Sequence, residues 1–107
     1  MDPSLYKDTT TSRGFKYHYY FSAATDPNKS SVLFIHGFPS SAQDWRKVVP
    51  SFEATGYGII VPDMLGYGGT DKPTETDAYK LSGIARDVVD ILDAEGINKV
   101  IVVGHDW

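Results

Sequence analysis

At 107 residues, with 41% hydrophobic and 22% charged side chains, the chain has the composition of one soluble globular unit long enough to bury a core. Its net charge of −4, with no cluster of lysine and arginine, argues against a nucleic-acid partner. The absence of cysteine excludes a disulfide framework, a zinc–thiolate site and a cysteine nucleophile, and fits a reducing, cytoplasmic setting. The apolar runs are short beside the roughly 20 residues a bilayer span requires. The first residues also lack the basic-then-apolar pattern of a secretory leader.

In chain order, Leu5 to Thr11 reads as a strand turned through Ser12-Arg13-Gly14 into a second. That second segment alternates, with Phe15, Tyr17, Tyr19 and Phe21 on one side and Lys16, His18 and Tyr20 on the other. Period two with aromatics predicts an antiparallel strand near a sheet edge. Thr25 to Lys29 is a loop by composition. Three later runs, Val32 to Ile35, Gly58 to Val61 and Val100 to Val103, are continuous and rich in β-branched residues. Such runs predict strands buried on both faces, as in a parallel sheet covered by helices.

Two helices are expected between these strands. The first covers about Ser41 to Thr55, kinked or split at Pro50 and stopped by Gly56. The second covers about Leu81 to Glu95, with Leu81, Ile84, Ala85, Val88, Ile91 and Leu92 at helical spacing. Its aspartates, Asp87 included, are expected on the solvated face, and Gly96 is expected at its C-terminal cap. The fold class is α/β: a mostly parallel sheet with helices on both faces.

In such sheets ligands bind outside the carboxyl ends of the strands. Three loops leave those ends. They read His36-Gly37-Phe38-Pro39, Asp63-Met64-Leu65-Gly66-Tyr67-Gly68-Gly69-Thr70-Asp71-Lys72-Pro73, and Gly104-His105-Asp106-Trp107. Alone, Asp106 would read as a helix N-cap. The glycines at 66, 68 and 69 are not followed by lysine in P-loop spacing and read as turn residues. Asp63 is expected to organise its loop, and Trp45 and Tyr67 to pack.

Together, and in this order, the three loops resemble the α/β-hydrolase superfamily, and within it the soluble epoxide hydrolase and haloalkane dehalogenase branch. The resemblance runs from about Tyr17 to Trp107. It implies that residues 1–107 are the N-terminal portion of a hydrolase core domain, without its lid and C-terminal half. It makes Asp106 the nucleophile of a strand-to-helix elbow, where most of the superfamily has serine. The backbone N–H groups of Phe38 and Trp107 would form the oxyanion hole, and Phe38, Pro39 and Trp107 would line the substrate pocket. His36, Gly37, Gly104 and His105 would support the motifs rather than act as bases. An aromatic at position 38, where dehalogenases commonly carry Asn or Glu, resembles the epoxide hydrolases. The implied reaction opens an epoxide to a vicinal diol with water, using no metal or organic cofactor. Its histidine base, second acid and lid tyrosines follow the elbow in the family. Those 107 residues alone are therefore expected to be inactive, with the remainder of a hydrolase chain as a possible partner. A dehalogenase-like hydrolase, or a non-catalytic remnant serving as a binding module, stay open as alternatives.

Overall fold

The computed structural model describes residues 2–37 and 41–104. Five strands form one sheet: β1 (Tyr6–Thr10), β2 (Lys16–Ser22), β3 (Ser31–Ile35), β4 (Gly58–Pro62) and β5 (Val100–Gly104). Their spatial order is β1-β2-β4-β3-β5. β2 pairs antiparallel with both β1 and β4, while β3 pairs parallel with both β4 and β5. The expected parallel sheet is thus realised by β4, β3 and β5, with an antiparallel hairpin at one side. The hairpin turns where predicted, with the Gly14 N–H donating to the Thr11 carbonyl at 2.9 Å.

Strand alternation divides the core into two layers. Tyr17, Tyr19, Leu33 and Ile60 point to one face, where Ile91 buries beside Ile84, Val88 and Leu92 of α2 (Leu81–Ala94). Tyr20, Val32, Phe34, Ile59 and Val61 point to the other, where they meet Val49 and Phe52 of α1 (Val49–Ala54). Helices therefore cover both faces, as the continuous apolar runs of β3 and β4 require. β5 is different: among the described residues it has a neighbour on one side only, and Ile101 and Val102 are 49% and 58% exposed.

The region expected as one helix from Ser41 is two. A 3₁₀ turn spans Ala42–Trp45, capped by the Ser41 side chain, and α1 begins at Val49. Pro50 sits in the first turn of α1. A proline has no N–H for the preceding turn, so it starts a helix more readily than it continues one. Trp45 packs on Phe34 with ring centres 5.1 Å apart. α2 ends as expected: Gly96 takes φ +71° and donates to the Asp93 carbonyl, and Ile97 donates to that of Leu92. This is the paired Schellman closure that favours glycine.

A second expectation is overturned. Asp87 is not on a solvated face; it is fully buried. It lies one turn from both Ile84 and Ile91, on the flank of the apolar stripe. There its carboxylate receives Arg13 Nε at 2.9 Å, an Arg13 guanidinium nitrogen at 2.6 Å and the Tyr17 hydroxyl at 2.7 Å. Arg13 enters from the β1–β2 turn and passes so close to α2 that a Cβ at Gly83 would lie 2.5 Å from its guanidinium. This close approach accounts for a glycine inside a helix, where it otherwise costs about 1 kcal/mol.

Burial, reinforced by acidic partners at Asp87, Glu95 and Glu53, pushes the phenols of Tyr17, Tyr19 and Tyr20 above their ordinary value. Among the described residues no helix is long and apolar enough to cross a membrane.

Candidate active site

β3 and β5 run parallel as neighbours, with Ile35 opposite Gly104. The chain therefore leaves β3 into His36-Gly37 beside the point where it leaves β5 toward His105-Asp106-Trp107. β4 flanks β3 on its other side and delivers Asp63. The three loops singled out in the sequence thus follow three adjacent parallel strands, at their carboxyl ends. This is where an open α/β sheet places its ligand site.

Of the predicted site residues, His36, Gly37 and Gly104 are described. Phe38, Pro39, His105, Asp106 and Trp107 lie outside the described residues.

His36 is 2% exposed and both its ring nitrogens are engaged. Nε2 accepts the Met64 backbone N–H at 2.9 Å, which places the ring proton on Nδ1. Nδ1 then donates to the Gly37 carbonyl at 2.9 Å. The Tyr67 ring meets the imidazole edge-on, 5.2 Å between centres. With its one acceptor nitrogen occupied by a backbone donor, His36 cannot take a proton from water without breaking that bond.

Asp63 is 6% exposed and is held by backbone donors. One carboxylate oxygen accepts the Ala42 N–H at 2.8 Å and the other the Gly69 N–H at 3.0 Å. Its carbonyl receives the Thr70 hydroxyl at 2.6 Å, and that hydroxyl in turn accepts the His18 N–H at 2.9 Å. The glycine-rich stretch after Asp63 is a compact double turn, closed by Tyr67 N–H on the Met64 carbonyl and Thr70 N–H on that of Tyr67. No helix begins there, which agrees with turn glycines rather than a phosphate cradle. The sequence marked Asp63 as an organiser of its own loop. It did not indicate that the carboxylate reaches a residue 21 positions earlier, because a backbone N–H carries no residue-type signature.

His18 is on β2, with β4 between it and β3. Its Nδ1 lies 2.7 Å from an Asp8 carboxylate oxygen, and its ring stacks on Tyr6. Next to the site, on the α2 face, a groove of about 340 Å³ is lined by Leu33, Ile35, Met64, Ile84, Val88 and Val102 among other apolar residues. It offers no polar group to orient a substrate. Among the described residues no three His, Asp or Glu side chains converge as a metal site would need.

Comparisons with known proteins agree with this geometry. A family model described as alpha/beta hydrolase fold matches residues 30–107. Epoxide hydrolase A of Mycobacterium tuberculosis is 38% identical over 84 residues, which cover 78% of this chain and 26% of that protein. Epoxide hydrolase 3 of Siraitia grosvenorii is 41% identical over 99 residues, covering 92% of this chain and 30% of that protein. Among solved structures, an epoxide hydrolase from an endophytic Streptomyces superimposes with a TM-score of 0.86 at 34% identity, covering 96% of this chain and 30% of that one. The chain thus spans between a quarter and a third of the length of these relatives.

Proposed function

This chain belongs to the α/β hydrolase family, and from that premise we propose that it carries the nucleophile and oxyanion loop of an epoxide hydrolase. The observation that carries the reading is the pairing of β3 with β5, Ile35 opposite Gly104. It brings the carboxyl ends of β3 and β5 side by side, and the sequence continues from the first to Phe38 and from the second to Asp106, which supports the reading. The names of the relatives, all epoxide hydrolases at 36–43% identity, support the choice of reaction. So does the aromatic at position 38.

The chemistry follows from a carboxylate at the elbow. One Asp106 oxygen attacks an epoxide carbon, and the bond from that carbon to the ring oxygen breaks. The released alkoxide takes a proton from an acid of the enzyme, leaving a hydroxyalkyl ester on Asp106. Water, losing a proton to a base, then adds to the ester carbonyl carbon. Negative charge grows on the carbonyl oxygen, where the N–H groups of Phe38 and Trp107 receive it. Collapse expels the second alkoxide, which takes up a proton, and the vicinal diol leaves with Asp106 restored. We assign the base and the protonating acid to no described residue. His36 has both ring nitrogens committed, and the hydroxyls of Tyr17, Tyr19 and Tyr20 are bound to carboxylates within the core. The substrates are a small epoxide and water, no cofactor takes part, and the setting is cytoplasmic.

The test offers the full-length gene product a styrene-oxide-type epoxide and a haloalkane. Diol formation without halide release is expected. Halide release without diol would assign the site to the dehalogenases, and neither product would favour a non-catalytic role.

A further inference from the structure

Asp63 and Met64 are consecutive residues at the end of β4, yet they grip both ends of the loop that leaves β3. The Met64 N–H binds His36 Nε2 at 2.9 Å, where the loop begins. The Asp63 carboxylate binds the Ala42 N–H at 2.8 Å, where the loop passes into its 3₁₀ turn. His36, Ala42 and Asp63 are 2%, 1% and 6% exposed, so these bonds are shielded from water. Asp63 is itself fixed by Gly69 N–H on its second oxygen and by its own N–H on the His18 carbonyl. Among the described residues it forms no ion pair. Burying a carboxylate is costly, and closing this turn needs only one acceptor. The second acceptor reaches out of the turn, to the neighbouring loop.

We propose that Asp63 and His36 are positioning residues: with the Met64 N–H they tether the chain on either side of the stretch that carries Phe38, and the service of Phe38 as an oxyanion donor depends on that tether. The proposal rests on the oxyanion role given to Phe38 above. Its consequence falls on one chemical step. Ester formation discharges the Asp106 carboxylate, and the charge it builds lies on the epoxide oxygen, where the protonating acid meets it and not the oxyanion donors. Ester hydrolysis builds an oxyanion, and a donor displaced by about 1 Å loses much of its effect. Loosening the tether therefore slows hydrolysis and spares ester formation. When hydrolysis alone slows, kcat and KM fall together, because kcat/KM is set by binding and ester formation.

The experiment uses the full-length protein with Asp63→Asn, His36→Leu and His36→Gln, assayed with styrene oxide, with rates normalised to the burst of ester so that unfolded enzyme drops out. Asp63→Asn and His36→Leu are expected to lower kcat about 10- to 100-fold. KM falls in parallel, kcat/KM stays within about threefold, and intact-mass spectra show the enzyme resting as its ester. His36→Gln, whose side-chain oxygen can still accept the Met64 N–H, recovers most of the loss. A fall in kcat at unchanged KM, with no ester accumulating, would overturn the tether and leave these residues as mere packing. If instead Asp106→Ala still turns over epoxide, it is the underlying assignment that fails, whatever the tether variants do.

Discussion

Full-length protein carrying Asp106→Ala is expected to lose epoxide turnover by about 10⁴-fold or more and to take up no covalent substrate mass. The size follows from the two-step path. Without the carboxylate there is no ester, and the oxyanion donors have no carbonyl to act on. Only binding and bulk water remain. Secondary structure should survive, because β5 ends at Gly104, ahead of the substituted position. Steady-state assay, intact mass and circular dichroism together make the check. Activity within tenfold of the parent would remove Asp106 from the reaction.

The second large effect is on stability. Asp87 is fully buried, and two of its three donors come from Arg13. Arg13→Ala would leave that carboxylate with the Tyr17 hydroxyl alone. Breaking a buried pair from one side typically costs about 3–5 kcal/mol. Because Arg13 keeps 23% of its side chain exposed, the lower end, about 3 kcal/mol, is expected. The double change Arg13→Leu with Asp87→Leu should cost much less, since it removes both charges together. Urea unfolding of the three proteins measures this. A loss below about 1 kcal/mol for Arg13→Ala would mean that water, not Arg13, satisfies Asp87.

The contrast between Asp87 and the glycine-rich turn shows what sequence can carry. That turn is legible because it depends on residue types at fixed spacing. The two helix-covered faces were legible from the continuous apolar runs of β3 and β4. Asp87 was misread because helical periodicity sorts residues by polarity, and a buried acid with a distant arginine looks like a solvated one. Its spacing of three from Ile84 and four from Ile91 was the available signal. A split near Pro50 was anticipated, but it falls before Val49, with Pro50 in the first turn of α1, and the 3₁₀ turn ahead of it depends on Ser41 capping and on Asp63 holding the Ala42 N–H. That bond, like the Met64 N–H on His36, joins a side chain to a backbone group on another strand's loop. No pattern along the chain could announce it.

The central claim is that water is split against an ester of Asp106 and not against the epoxide itself. A single turnover in heavy-oxygen water, with enzyme in excess over epoxide, separates the two. The ester path sends the heavy oxygen into the Asp106 carboxylate, detected by mass spectrometry of the peptide that contains it, and leaves the diol unlabelled. Heavy oxygen in the diol of the first turnover, with Asp106 unlabelled, would contradict it.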